Sequence, residues 1–409
     1  MASDALCCCE YENKHGDRSH LLACCCDCEA LDQIGDRFFK CETIPSSLID
    51  RFLDTLSDRC RIPGLTGGGA IKVNLELATP IIIIPASLSL AAIGPITTGF
   101  ILIFLPCFCV AFYQIWRKRT QKLRTKFFLV WGIFSLVFMY FLFEMVICAN
   151  TNVSFIDNLI ITIAVIMLGV ALKLAKDDPG IIPEDKVQPY IHNSYAFFGL
   201  SNPNPRDKEE ALLEDFEVVQ MDDIDPPDTK PENSKVKGAN WCESCSVITS
   251  PRSGHCKACD VCISNRDHHC VWIDSCVGRK NHRSFLVAMA LFVFVGYYGS
   301  YLTLAAVCDP SLSSQTCSIP YAYRDFKWGL CFSGACYTIL VTSIMCFGLV
   351  HQLLLISQNS TSQEMHRASL ERNTKCAIFR IRNPYNRGFL QNWKEFILNQ
   401  RCTGNVESV

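Results

Sequence analysis

Of the cysteine and histidine side chains in the stretch from Trp241 to Phe285, ten are spaced as metal ligands: Cys242, Cys245, His255, Cys256, Cys259, Cys262, His268, His269, Cys270 and Cys276. Nothing else in the chain restricts its folding as much. Zinc in a structural site takes four thiolate or imidazole ligands, and a Cys-x2-Cys pair lets two sulfurs reach one ion. Three such pairs occur: Cys242/Cys245, Cys256/Cys259 and, overlapping the second, Cys259/Cys262. Two tetrahedral ions need eight ligands, so seven cysteines and three histidines leave one thiol and one imidazole over. The surplus falls in the adjacent trio His268, His269 and Cys270, preceded by Asp267, because neighbouring side chains cannot all point at one ion. A spare thiol beside a spare imidazole beside a carboxylate reads as a nucleophile, a base and an orienting group. Spacing leaves open which imidazole is the spare one.

Asp267-His268-His269-Cys270, set within Cys-x2-Cys-x9-His-Cys-x2-Cys-x2-Cys and followed by Cys276, resembles the cysteine-rich domain of the DHHC family of membrane protein S-acyltransferases. The match runs without gaps through Val277-Gly278, Asn281, Arg283 and Phe285. The resemblance implies that Cys242, Cys245, His255 and Cys262 hold one zinc and that Cys256, Cys259, His269 and Cys276 hold the other. Cys270 is then the nucleophile, His268 its base and Asp267 the group that orients His268. The implied reaction is ping-pong. Cys270 takes a long-chain acyl group from acyl-CoA, such as palmitoyl-CoA, and passes it to a cysteine of a substrate protein. Both zincs are structural on this reading, since a closed four-ligand site leaves no open position for a catalytic water. Arg252 is expected to meet the CoA phosphates. Val271, Asp274-Ser275 and Ser284 stand where the family commonly has Pro, an Asn pair and Tyr. A zinc-stabilised membrane scaffold without turnover is the competing reading. A RING-type ubiquitin ligase needs a cross-braced spacing that is not met here.

Composition points to a membrane. Of 409 residues, 49% are hydrophobic and only 19% charged, fewer charges than a soluble chain usually carries. A net charge of -2 says nothing about a nucleic-acid partner, and the lack of a basic face bearing stacking aromatics leaves that reading without support. The 26 cysteines cluster as Cys-Cys-Cys strings and Cys-x2-Cys pairs rather than as an evenly spaced secreted framework, so most should face a reducing cytosol. No signal peptide is visible, and the first apolar run begins near Pro80. That run continues to Trp116, longer than the roughly 20 residues one crossing needs, and Gly94-Pro95 divides it into a two-span hairpin, with a re-entrant hairpin or a single long tilted helix as the alternative. Phe127 to Ala149, Ile156 to Leu172, Phe285 to Val307 and Gly329 to Ile356 add four spans. Arg117, Lys118, Arg119, Lys122, Arg124 and Lys126 form a basic loop that belongs in the cytosol.

The expected fold is therefore an all-α polytopic membrane protein of about six transmembrane helices with a small cytosolic two-zinc domain. Its expected divisions are a Cys-rich N-terminal region (1–78), the hairpin (80–116), two helices (127–175) and a cytosolic segment with an acidic linker (176–240). The cysteine-rich domain (241–284), two helices with a luminal loop (285–356) and a C-terminal region (357–409) follow. Both termini should be cytosolic.

Three further elements resemble parts of the same family: Asp178-Pro179-Gly180, Thr361-Ser362-Gln363-Glu364, and Asn383-Pro384-Tyr385 with Asn392-Trp393. The resemblance spans about Phe127 to Trp393. Outside it, Pro45 to Arg59 reads as an amphipathic helix capped by Ser46 or Ser47. The clusters Cys7-Cys8-Cys9 and Cys24-Cys25-Cys26, with Cys28, Cys41 and Cys60, read either as S-acylation sites or a metal tract, or as incidental thiols. Cys308 and Cys317 are placed to form a luminal disulfide. Glu407-Ser408-Val409 suits capture by a PDZ domain, where a peptide carboxylate meets backbone amides. By analogy with the family, the membrane is that of the Golgi, with the endoplasmic reticulum as alternative. The substrates are cysteine-containing proteins at its cytosolic face.

Overall fold

Apolar runs of span length have to satisfy their backbone groups internally, which helices do. In a computed structural model of the chain, residues 9–13, 16–20, 27–63, 69–120, 124–182, 240–245, 247–249, 252–308, 319–372 and 383–398 are described. The cysteines at 7, 8, 24, 25, 26 and 317, the acidic linker and Glu407-Ser408-Val409 lie outside them. Cys308 is disulfide-bonded. The chain divides into two units, one of Met1–Ile163 with Phe294–Ile344, the other of Ala164–Val293 with Met345–Val409.

The first unit begins with a small module. Strands β1 (Glu10–Glu12) and β2 (Arg18–His20) pair as a hairpin, followed by helices α1 (Cys28–Phe39) and α2 (Ser46–Arg59) and the short pair β3 (Arg61–Ile62) and β4 (Ile71–Lys72). Asp27 caps α1 by accepting from the Ala30 amide at 3.0 Å, and Arg51 of α2 grips both Asp27 and Glu29. The Arg61 guanidinium lies 4.1 Å over the ring of buried Tyr11, a cation–π contact that joins the two hairpins. The expected serine cap of α2 is absent: Pro45 holds the cap position and makes no side-chain bond, so both serines fall inside the first turn.

Among the described residues, five helices are long and apolar enough to cross a membrane: Pro95–Ile115 within α4 (Pro95–Thr120), Phe127–Cys148, Phe155–Lys176 (α6), His282–Val307 (α7) and Phe326–Ser357 (α9). Phe127–Cys148 comprises α5 (Phe127–Leu142) and a π-helical segment, Phe143–Cys148. A sixth apolar helix, α3 (Leu75–Ala91), has 17 residues. It starts upstream of Pro80 because the Asn74 side chain accepts from the Glu76 amide at 2.9 Å. The turn at Gly94-Pro95 is closed by Thr98 Oγ1, which donates to the Ala91 carbonyl at 2.8 Å. Between α5 and α9 a buried polar cluster forms, in which Trp131 Nε1 donates to the Tyr337 hydroxyl at 2.9 Å and Ser135 lies 3.0 Å from it. Glu144, near the far end of its span, accepts from Asn158 Nδ2 at 3.3 Å. The short helix α8 (Ile319–Ala322) precedes α9.

In the second unit the fold is not all helix. Three two-stranded antiparallel hairpins carry the cysteine-rich stretch: β5–β6 (Asn240–Cys242, Val247–Thr249), β7–β8 (Gly254–Cys256, Val261–Ile263) and β9–β10 (His268–Cys270, Ser275–Val277). Helices α10 (Ser362–Arg372) and α11 (Phe389–Ile397) follow α9. The Asp178-Pro179-Gly180 turn ties the end of α6 to the hairpins. Asp178 Oδ1 accepts from the Gly180 and Ile181 amides at 2.8 and 3.0 Å, Gly180 has φ +97°, and Ile181 bridges to Ile263. Asn281, 2% exposed, donates to the Ala175 carbonyl at 2.6 Å and the Cys276 carbonyl at 2.9 Å. The start of α7 is thereby locked to both the module and α6.

Candidate active site and metal centres

Side chains alternate faces along a strand, and register partners across a hairpin share a face. His255 pairs with Cys262 in β7–β8, so these two share one face while Cys256 turns to the other. His269 pairs with Cys276 in β9–β10, so His268 and Cys270, on either side of His269, share the opposite face. One hairpin thus feeds two clusters, and the other separates a ligand-like pair from a thiol and an imidazole.

The donor atoms gather accordingly. Cys242, Cys245, His255 and Cys262 bring one ligand atom each to within 4.8 Å of one another, and so do Cys256, Cys259, His269 and Cys276. In the second cluster His269 Nδ1 lies 3.7, 3.4 and 3.6 Å from the sulfurs of Cys256, Cys259 and Cys276, and the Cys259 and Cys276 sulfurs are 3.8 Å apart. In the first, Cys245 Sγ lies 3.3 Å from His255 Nδ1. Zinc–sulfur and zinc–nitrogen bonds of ordinary length hold tetrahedral donors roughly 3.5–3.8 Å apart, so the residues present fit that ion. Two Cys3His sets of this chemistry can each hold a metal ion.

Cys270 is buried, and its surroundings are apolar: Ala175 and Leu172 from α6, Ile273 and Val277 from the module, Phe285 and Met289 from α7, Met345 and Leu349 from α9. His268 stands against it. Its Nδ1 lies 2.6 Å from Asp267 Oδ2, which leaves Nε2 for the sulfur, and its ring meets Phe285 edge-on at 5.6 Å. Asp267 is 1% exposed and is saturated by donors. The Ser362 amide reaches Oδ1 at 2.7 Å, while the Ser362 hydroxyl and Gln352 Nε2 reach Oδ2 at 2.8 and 3.0 Å. Burial alone would raise the Asp267 pKa, but the hydrogen bond from His268 and the neighbouring imidazoles hold it well below the usual carboxylate range. Burial likewise opposes charge on His268. The Asp267 hydrogen bond and the Cys270 sulfur outweigh it and raise the imidazole to about 9. A base so strengthened is well placed to take the proton of a thiol whose ordinary pKa is about 8.5.

Arg252 requires a correction. It was expected at the CoA phosphates, but its side chain is 2% exposed and committed to internal partners. Nε and Nη2 form a two-pronged pair with Glu364 at 2.8 and 2.9 Å. Nη1 and Nη2 also donate to Asn359 Oδ1 and to its carbonyl, both at 2.9 Å. The guanidinium lies 4.4 Å from the Tyr385 ring centre. Asn359 in turn donates to the Tyr385 carbonyl at 2.9 Å and to Glu395 at 3.1 Å, and Asn383 donates to the Gln358 carbonyl at 2.6 Å. Arg252 therefore clamps the segment after α9 onto the hairpins. The ion pair explains why Glu364 closes its motif, and the hydrogen bond from the Ser362 hydroxyl to Asp267 explains the hydroxyl at its second position. Gln352 was not singled out by the sequence, because it lies beside His351 near the end of a run that reads only as a membrane span.

These features define a mostly helical chain with helices of membrane-crossing length and a cysteine-rich module that offers ligands for two metal ions and holds a thiol, an imidazole and a carboxylate in line. Residues 235–369 match the family model described as DHHC palmitoyltransferase. Over 403 residues the chain is 34% identical to palmitoyltransferase ZDHHC23-B of Danio rerio, covering 96% of this chain and 92% of that protein. It is 32% identical to palmitoyltransferase ZDHHC23 of Mus musculus over 407 residues (96% and 93%), and 32% identical to that of Homo sapiens over 377 residues (89% and 90%). The chain belongs to the DHHC palmitoyltransferase family. It is a multi-pass membrane protein and a protein S-palmitoyltransferase.

Proposed function

We propose that this enzyme moves a long-chain acyl group from acyl-CoA to substrate cysteines through an acyl-Cys270 intermediate. His268 takes the thiol proton and Asp267 holds the imidazole in the tautomer that does so. The Cys270 sulfur attacks the thioester carbonyl, the carbon–sulfur bond to CoA breaks, and CoA leaves as its thiol. In the second half a substrate thiol attacks the acyl-Cys270 thioester and regenerates Cys270. The observation that carries this reading is the packing of Cys270 among Leu172, Phe285, Met289, Met345 and Leu349. The nucleophile is set at the apolar ends of three membrane helices, where an acyl chain gains about 0.8 kcal/mol for each buried CH2. Cys242, Cys245, His255 and Cys262 would hold one zinc, and Cys256, Cys259, His269 and Cys276 the other. Zinc bound there supplies folding free energy and keeps β9 rigid.

The test is direct. Purified protein in detergent with a clickable palmitoyl-CoA analogue should take hydroxylamine-sensitive label that disappears in Cys270→Ser. Label that persists in Cys270→Ser would place the nucleophile elsewhere.

Six spans with a cytosolic module and cytosolic termini are the proposed topology. Its support is the placement of α3. At one end Glu76 accepts from Thr125 Oγ1 and the Lys126 amide, beside the start of α5. At the other end the Ala92 carbonyl lies against Gly329, at the start of α9. The contacts Trp131–Tyr337 and Met139–Gly334 make α5 and α9 antiparallel, so those two starts belong to opposite faces. A 17-residue helix rises about 25 Å, close to the hydrocarbon thickness. Protection of an N-terminal tag from protease in sealed microsomes would overturn this topology. A Golgi membrane, substrates at its cytosolic face and a PDZ-domain partner for Glu407-Ser408-Val409 complete the reading. The last is checked by binding of the full chain, with and without Val409, to an immobilised PDZ domain.

A further inference from the structure

Gln352 lies near the end of α9 and is 4% exposed. A buried amide costs free energy unless its polar atoms are paired. Its Nε2 donates to Asp267 Oδ2 at 3.0 Å and lies 3.3 Å from Ser362 Oγ, and its Oε1 accepts from His282 Nε2 at 3.0 Å. The amide orientation follows from chemistry. A carboxylate only accepts, so the NH2 group faces Asp267 and the carbonyl oxygen faces His282, which must then carry its proton on Nε2. His282 is itself buried, its ring meeting Phe396 edge-on at 5.2 Å.

We infer that Gln352, held by His282, is a positioning residue for acyl transfer, fixing the Asp267 carboxylate that orients His268 toward Cys270. The inference rests on the roles proposed above for Cys270, His268 and Asp267. The terminal torsion of an aspartate is soft, so the carboxylate plane follows its donors, which besides Gln352 are the Ser362 amide on Oδ1 and the Ser362 hydroxyl and His268 on Oδ2. Ser362 approaches from the segment after α9 and His268 from the first position of β9, next to Asp267 in the chain. Gln352 adds a donor from within a helix, and His282 braces that donor from the first turn of α7. The resulting line, Cys270–His268–Asp267–Gln352–His282, joins the hairpin module to two helices. Gln352 touches no reacting atom and acts only through Asp267.

The test is a double-mutant cycle on the full-length, zinc-loaded protein in detergent, following the rate of acyl-Cys270 formation from palmitoyl-CoA with Cys270→Ala as baseline. Gln352→Met should slow acylation about tenfold, with the KM for palmitoyl-CoA and the zinc content unchanged. In an Asp267→Ala background the same change should have no further effect, because the group it acts through is gone. Equal slowing in both backgrounds, a raised KM or a wild-type rate in Gln352→Met overturns the inference. Should Gln352→Met fail to fold, His282→Phe keeps a ring against Phe396 and removes the donor that braces Gln352. It should then slow acylation several-fold when Asp267 is present and not otherwise, and slowing in both backgrounds overturns the inference equally. Failure of the underlying reading looks different: Cys270→Ala would still take label, or Asp267→Ala would acylate at the wild-type rate.

Discussion

The Ser362 hydroxyl donates to Asp267 Oδ2 at 2.8 Å across 95 positions of sequence, while the Ser362 amide donates to the other carboxylate oxygen. The segment after the last membrane helix thus supplies two of the donors that keep a nearly fully buried carboxylate ionised. Ser362→Ala should slow acyl-Cys270 formation about tenfold, the worth of a hydrogen bond to a charged group, whereas Ser362→Thr keeps the hydroxyl and should stay within roughly twofold. Single-turnover acylation measures both. An alanine variant as fast as the threonine one would leave the hydroxyl without a role.

Arg252→Met should act on stability rather than on acyl-CoA binding. Removing a buried guanidinium takes the cation from Glu364 and two donors from Asn359, a loss of about 3 kcal/mol. A lower unfolding midpoint with an unchanged KM for palmitoyl-CoA is the expected result. A raised KM at unchanged stability would return Arg252 to the phosphates.

Cys262→Ser and Cys276→Ser each remove one buried candidate ligand from a different cluster. Each variant should hold less zinc than the wild-type protein and should lose the folded module, since a structural zinc contributes on the order of 10 kcal/mol of folding free energy. Metal analysis of the purified protein and limited proteolysis read the two effects. Two zincs retained in Cys276→Ser would exclude that thiol as a ligand.

Gly278 has no room for a side chain: a Cβ there would run into the Pro179 carbonyl, an Ile263 methyl and the Ser264 carbonyl. Two of the three are backbone and cannot swing away. Gly278→Ala should therefore destabilise the protein by about 1–3 kcal/mol and loosen the Asp178-Pro179-Gly180 turn from β8. Thermal unfolding measures the cost, and an unchanged midpoint would show that the turn is not seated on this glycine.

The spacing of cysteines and histidines determined that there are ligands for two ions with one thiol and one imidazole to spare, because Cys-x2-Cys geometry is local. Hydropathy determined the span-length helices for a similar reason, since a bilayer demands a run of apolar residues whatever they pack against. Spacing could not separate His268 from His269. The β9–β10 register does so, by putting His269 opposite Cys276 and turning its two neighbours to the other face. A reading of the stretch as strands, with their period of two, contained that signal; reading it only as a ligand count did not. Only tertiary structure decided the rest. Arg252 is buried against Glu364 instead of facing a phosphate, Gln352 emerges from an apolar run to meet Asp267, and Asn281 locks α7 to α6. Each of these contacts joins residues far apart in the chain, and their energy comes from burying polar groups that find partners only once the helices and hairpins have come together.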